Sequence, residues 1–450
     1  MPRANPIGST QRFRPPTLAI SSVTSAPSAP SLTYDVSMRT LPRLLLAAAL
    51  GLAFLPATPA SAASSDRAAF ARWTSTSDFA RGTSTGLAAK SGAVTLGSGT
   101  SITSYDDPRV NGGSHRYDLG DWVSPWQSTG FPARTLIPSW SIGTPNGTWA
   151  RIEVRVRSGS TIGSWDTIAR YAAGTTDVRR TSYPTQSDDL AKLSTDTIIA
   201  NSGKTFDGWQ IRIKLMRRVG DRDKPTLYAV NGIASNYEAR TIATSTTTMS
   251  STTELDVPRS SQMIHSGEYP KWGGGGEAWC SPTSTSMVMR YYNRGPSAKS
   301  YSWTRYADGF VDHAARYTFD YRYDGTGNWP LNTAYAARYS LDTFVTRLDS
   351  LREAEAFIKA GIPLVASVAY GKGGLTGAPI SSTPGHLLVI TGFTTSGRVI
   401  ANDPAAWSNS SVRRIYSRSQ FEKAWLQGSG GVVYVIRTKS DPLPKDTARW

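Results

Sequence analysis

The chain contains one cysteine, Cys280, and four histidines. An ionised thiol is a strong nucleophile, and its reactivity depends on whatever lowers its pKa. Cys280-Ser281-Pro282-Thr283 opens a helix-like stretch, Pro282 to Tyr292. Proline suits the first turn of a helix, where its missing N–H has no partner to lose. Cys280 is therefore expected at or just before a helix N-terminus, where free N–H groups and the helix dipole favour a thiolate. A neighbouring imidazolium would lower the thiol pKa further. The candidates are His115, His265, His313 and His386. His115 falls in a separate, N-terminal part of the chain, and His313 follows Asp312 on an expected helix, where a surface role is the reading. His386 begins an apolar strand running to Phe393, after Pro384-Gly385. Asp403 lies beyond a Thr394–Gly397 turn and a second strand, Arg398–Ala401. Two antiparallel neighbours would bring His386 and Asp403 to the same end of a sheet. That makes a nucleophile, a base and an orienting carboxylate, with Asn402 as an alternative orienter.

The elements that must position these groups belong to the second half of the chain. Leu351–Ala360 reads as a helix stopped at Gly361 and Pro363, Pro363–Tyr370 as an apolar strand, Gln420–Gln427 as a helix and Val432–Ile436 as a closing strand. A helix leading into an antiparallel layer predicts an α+β domain over 255–437. Residues 66–240 differ. Ile152, Val154 and Val156 alternate with Arg151, Glu153, Arg155 and Arg157, and Trp209, Ile211, Ile213 and Leu215 alternate in the same way. Period-two runs with frequent turn signals predict an all-β sandwich or jelly roll. Its tryptophans, among them Trp122, Trp126, Trp140, Trp149 and Trp165, read as core first and as a carbohydrate-stacking platform second. Residues 241–254 are Ser/Thr-rich and read as a linker, and 438–450 as a tail.

Three short motifs in order are Trp279-Cys280-Ser281-Pro282-Thr283-Ser284, Gly385-His386-Leu387-Leu388-Val389 and Asn402-Asp403-Pro404. Together they resemble the Cys/His/Asp pattern of cysteine peptidase family 39. The likeness is to its secreted branch, which carries Cys-Gly-Pro-Thr where this chain has Cys-Ser-Pro-Thr. The resemblance implies a papain-like fold, with Cys280 as nucleophile, His386 as base and Asp403 as third member. It also brings a departure. Papain-like enzymes place an oxyanion-binding Gln shortly before the nucleophile, whereas the nearest upstream glutamine here is Gln262, beyond a glycine-rich insertion at Gly273–Gly276. Gln262 is the oxyanion candidate, and Trp272 and Trp279 are candidates to line a substrate cleft. The best-known family members trim double-glycine leader peptides at transporters. The absence of transporter helices and of an ATP-binding motif argues against that role.

Composition bounds the rest. The 450 residues are 39% hydrophobic, with 14 Trp, 20 Tyr and 12 Phe, which excludes extended disorder for most of the chain. The formal net charge of +16 favours anionic surroundings such as wall polymers, without a motif for nucleic acid. Met38, the basic segment Arg39–Arg43, the apolar run Leu44–Leu55 and Ala60-Ser61-Ala62 follow the order of an export signal over 38–62, with 1–37 an over-extended or disordered start. A secreted, cell-wall-associated protein with no stable membrane span after signal cleavage is expected. A lone thiol in such a chain cannot make an internal disulfide. Gly273–Gly276 lacks the Gly-Lys-Ser/Thr of a phosphate loop, Asp324–Tyr335 lacks the final Glu of a calcium loop, and neither metal nor cofactor is expected. The expected function is a cysteine peptidase or amidase acting through a thioacyl intermediate on peptides, proteins or wall peptides. The same triad would serve acyl transfer. A reading of another class is a wall- or glycan-binding protein whose papain-like domain is inactive.

Overall fold

The computed structural model describes residues 68–187, 189–237, 242–445 and 449–450. The expected export signal and the residues before it lie outside the described residues. Among the described residues no helix is long and apolar enough to cross a membrane.

The first half is built by alternation. Its strands used below are β1 (Thr135–Gly143), β2 (Trp149–Ser158), β3 (Ala191–Ser194), β4 (Thr197–Ala200), β5 (Phe206–Arg218) and β6 (Thr226–Ser235). In β2, Ile152, Val154 and Val156 are buried, while Arg151, Arg155 and Arg157 reach the surface between them. β2 pairs antiparallel with β5, setting Ile152 beside Ile213 and Val154 beside Ile211 on one face. These strands lie in a nine-stranded sheet, and β3, β4, β1 and β6 lie in a seven-stranded one. The inner faces share one core that includes Trp73, Trp122, Trp140 and Trp209, so the two sheets form a sandwich. Trp126 and Trp165 stay on the outer face, with the Arg155 guanidinium 5.1 and 4.5 Å from their rings.

The second half mixes helices with one antiparallel sheet. Its elements are α1 (Cys280–Tyr291), α2 (Gly309–Thr318), α3 (Trp329–Ala337), β7 (Asp342–Arg347), α4 (Leu351–Lys359), β8 (Leu364–Tyr370), β9 (Thr383–Phe393), β10 (Val399–Asn402), β11 (Arg413–Tyr416), α5 (Arg418–Ser429) and β12 (Val432–Arg437). The sheet order is β7-β12-β8-β9-β10-β11. α1 is buried over Ser281–Met289 although its first turns are Ser and Thr. Small side chains let it approach β9 closely, and each buried hydroxyl needs a partner. Ser281 pairs with the Tyr434 hydroxyl at 2.9 Å, Ser284 donates to the Leu387 carbonyl at 3.1 Å, and Thr285 donates to Asn332 at 3.3 Å.

From residue 242 the Ser/Thr-rich segment is strapped to the second half rather than tethering it loosely. Buried Glu355 accepts from the Thr247 hydroxyl and from the Thr248 N–H and hydroxyl, each at 2.7 Å. Arg418 joins Glu355 to the Ser245 carbonyl. Short polar side chains read as linker composition because their partners, Glu355 and Arg418, are distant in sequence.

The two halves also share a core. Leu331 and Ala334 of α3 belong to the sandwich core, and Ile137 and Ile233 of the sandwich pack with Met287 and Val345. Arg180 is fully buried and donates to the carbonyls of Ala172, Ala173, Gly174 and Arg316, tying the sandwich to α2. Arg72 pairs with Asp342, which also takes Arg437 at 2.6 Å.

Candidate active site

Cys280 is the first residue of α1, and Pro282 sits in the first turn, where its absent N–H costs no intrahelical bond. Cys280 is partly exposed as a residue, while its thiol is desolvated and meets the His386 imidazole as a hydrogen-bond partner. Burial raises a thiol's pKa, but here it is outweighed. The His386 hydrogen bond and charge, with the Leu387 and Ser281 N–H groups, hold Cys280 below the ordinary thiol value.

His386 lies in β9 opposite Val368 of β8. β10 runs antiparallel to β9, with Asn402 opposite Val389, so Asp403 follows at the end of the sheet where His386 stands. The His386 Nε2 is 2.8 Å from the Asp403 Oδ1, which leaves Nδ1 for the thiol. Burial disfavours the imidazolium, yet the Asp403 charge and hydrogen bond and the Cys280 thiolate push His386 up to about 10. Asp403 is itself buried, which opposes ionisation. The charge and hydrogen bond of His386 and the Tyr416 hydroxyl at 2.8 Å keep its pKa below the usual carboxylate range. The Ala405 N–H adds a further bond at 3.0 Å. Asn402 turns away and donates to the Val257 carbonyl at 3.0 Å, so the carboxylate is the group that orients the ring. The carboxylate fixes the orientation of the ring, and the contacts on both sides of it favour the charged forms of the thiol and the imidazole.

Gln262 lines the same cleft as Cys280 and His386 and is 4% exposed. Its Nε2 donates to the Glu277 carbonyl at 2.6 Å, which leaves one N–H over. The glycine insertion is what carries the chain from Gln262 back to the helix. Gly273, Gly274 and Gly275 have φ of 75°, 98° and 108°, which a side chain would strain. A Cβ at Gly276 would sit 2.5 Å from that of His265.

The two tryptophans expected at the cleft do not line it. Trp279 is fully buried, its indole donates to the Trp272 carbonyl at 2.7 Å, and both rings pack with Val311, Ala315 and Phe319. An indole next to a nucleophile is better spent anchoring the helix start, because it buries a large apolar area. His313 is likewise buried rather than at the surface. Its Nδ1 meets the Tyr335 hydroxyl at 2.8 Å, and burial with Arg338, Arg316 and Arg180 nearby drives its pKa down to about 3.

Behind Trp279 lies a network the sequence did not suggest. The His265 Nδ1 is 2.8 Å from Glu268 and 3.2 Å from Asp312. These three side chains have donors suited to a divalent metal, and their candidate ligand atoms lie within 4.8 Å of one another. The contacts have the spacing of an imidazolium shared between two carboxylates. Burial works against that charge, but the two carboxylates raise the His265 pKa. The i,i+3 spacing of His265 and Glu268 was a signal, but Asp312 comes from α2, which no local pattern links to it.

Cys280 and His386 line a cleft of about 960 Å³. One wall is β8–β9 and the α5 end. The lining also includes Thr135, Ser194, Thr195, Asp196 and Thr197 from the sandwich.

Two family models match the chain. One, described as the Peptidase C39 N-terminal domain, covers residues 69–235, and the other, described as the Peptidase_C39 like family, covers 254–432. No curated protein matches. A solved structure titled “Structural basis for the promiscuous specificity of the carbohydrate-binding modules from the beta-sandwich super family” is similar over 37% of this chain and 56% of its own, at 11% identity and a TM-score of 0.16.

Proposed function

The chain belongs to the family 39-like cysteine peptidases, and we propose that it is a papain-like hydrolase of peptide or amide bonds working through Cys280, His386 and Asp403. The observation that carries this reading is the pairing of a thiol at a helix start with an imidazole fixed by a buried carboxylate. The Cys280 thiolate attacks the carbonyl carbon, forming a C–S bond and a tetrahedral oxyanion. Collapse breaks the C–N bond as the His386 imidazolium gives its proton to the leaving amine. Neutral His386 then takes a proton from water as the water oxygen attacks the thioester. The C–S bond breaks, the acid leaves, and thiolate and imidazolium are restored. Asp403 holds the ring and its charge throughout without taking the proton. The Cys280 backbone N–H and the remaining Gln262 Nε2–H are the oxyanion donors in this scheme.

The substrate class at this level is peptide, protein or wall peptide. The site of action is outside the cell, a reading that rests on the Met38–Ala62 sequence alone. The test is digestion of a mixed peptide pool by the wild-type chain and by Cys280→Ala, with mass spectrometry of products and of the protein. New termini and an acyl adduct on the wild type alone support the proposal. No cleavage, with a thiol that labels only above about pH 8.5, sinks it. Products carrying an added amine in place of new carboxylates assign the same triad to acyl transfer.

A further inference from the structure

The cleft is acidic in a basic protein. The chain carries +16, yet the formally charged side chains lining the cleft, apart from His386, are Asp196, Glu277, Asp324 and Arg347. Arg347 is turned onto the carbonyls of Ser429 and Gly430. Glu277 and Asp324 are exposed at the rim, and Ser266 and Gly267 hold Glu277 ionised through hydrogen bonds.

Asp196 is the unusual member. It sits in the turn between β3 and β4, so the sandwich delivers it to the catalytic cleft. Its carboxylate accepts from the Trp329 N–H at 2.9 Å and from the Thr197 hydroxyl at 3.1 Å. It is 8% exposed, and no ion pair reaches it among the described residues. Burial, with Asp320 nearby, raises its pKa to about 6, so at neutral pH it is a desolvated anion without a counter-charge. A second acceptor belongs to the lining of the same cleft, because Gln262 is among its residues and its buried Oε1 has no partner. Both groups lack what a ligand ammonium or guanidinium would supply.

We propose that the cleft binds a cationic peptide, and that the sandwich turn carrying Asp196 forms the subsite for a lysine or arginine side chain. As a statement about cleavage this rests on the peptidase reading, but as a statement about binding it does not. The sandwich is then a specificity wall of the active site, and long-range repulsion from the rest of the chain disfavours loose binding of polycations elsewhere.

The experiment is fluorescence anisotropy with the full chain carrying Cys280→Ala. The probes are rhodamine-labelled decapeptides of alternating Lys-Gly, Ser-Gly and Glu-Gly. The expected order is Lys-Gly tightest, about tenfold or more over the other two, against the sign of the net charge. Asp196→Asn and the rim variant Asp324→Asn should each weaken Lys-Gly binding by roughly two- to fivefold, the range for single partly solvated pairs. Asp324 has a φ of 55°, which asparagine tolerates, so its variant remains informative should Asp196→Asn disturb the α3 contact. Equal or tighter binding of Glu-Gly, or Lys-Gly binding unmoved by both variants, overturns the proposal. On the wild type, Lys-Gly should also slow iodoacetamide labelling of Cys280. Protection by Lys-Gly, with no cleavage of the mixed peptide pool and a thiol that labels only above about pH 8.5, refutes the peptidase reading and supports the subsite. Cleavage of peptides regardless of their charge does the reverse.

Discussion

Replacing His386 by alanine should change the shape of the pH profile for alkylation of Cys280, and the shape is more diagnostic than the rate. In the wild type the thiol lies below its ordinary pKa and His386 near 10, which favours a thiolate beside an imidazolium. Labelling by iodoacetamide should be nearly flat across the neutral range. Without the imidazole, what remains is mainly burial, which returns the thiol to at least the ordinary range, about 8.5 for a free thiol. At pH 6 such a thiol is ionised in about one molecule in 300. A more basic thiolate is intrinsically more nucleophilic, by roughly threefold per unit of pKa, so the net loss at pH 6 is smaller than the loss of ionised fraction. The same arithmetic makes the variant faster than the wild type at pH 9. The profiles must therefore cross, the variant climbing about tenfold per unit between pH 5 and 8. Mass spectrometry reads the rates directly, because the chain has a single thiol. Parallel profiles in a variant with unchanged near-ultraviolet dichroism would show that His386 does not set the state of Cys280.

Asp196→Asn should stabilise the protein at pH 7.5, on the order of 3 kcal/mol, because the carboxyl rises from 3.8 to about 6 on folding and its ionised form is the costly one. The penalty is absent below pH 3.8, grows to pH 6 and is constant above it, so the gain in urea midpoint should vanish near pH 4. Glu355→Ala should lower stability by about 3–5 kcal/mol, since it frees the strap at Thr247 and Thr248 and leaves buried Arg418 without its carboxylate. A urea midpoint near that of the wild type would refute the strap's role. A fragment of residues 242–450 should fail to give a cooperative thermal transition, as Leu331, Ala334 and Arg316 lose the sandwich side chains that cover them. A sharp transition in that fragment would contradict the shared core.

The meeting of Cys280, His386 and Asp403 was legible because it is carried by residue type and local order. A single thiol before Ser-Pro-Thr, a histidine entering an apolar strand and an Asp past the next hairpin are each local signals, and the strand register brings them together. What stayed hidden depends on contacts between distant segments. The strap reads as linker because Ser245, Thr247 and Thr248 become ordered only against Glu355 and Arg418. Trp279 beside the nucleophile reads as cleft, but its indole can reach the Trp272 carbonyl only after the glycine insertion folds back. Likewise His313 reads as surface from its helix, while Tyr335 and the sandwich-side Arg180 that enclose it come from elsewhere.

The same long-range contacts bear on what the sandwich is for. Period-two alternation predicted the sandwich, and its natural reading was an appended binding module. Yet an appended module would present a polar face to its neighbour, with apolar residues saved for its own core. Here Ile137 and Ile233 pack with Met287 of α1, the helix that carries Cys280, and Val345 of β7 donates its N–H to Ser139 at 3.1 Å. A wall held by apolar packing keeps one position relative to the thiol, which a flexible tether cannot ensure. Asp196 supplies the complementary argument. A buried carboxylate with no counter-charge costs stability, and an interface that only needed to dock could cap α3 with a neutral asparagine. An anion kept there at that cost belongs with a cation that arrives from solution, and the cleft holding Cys280 and His386 is where it would arrive.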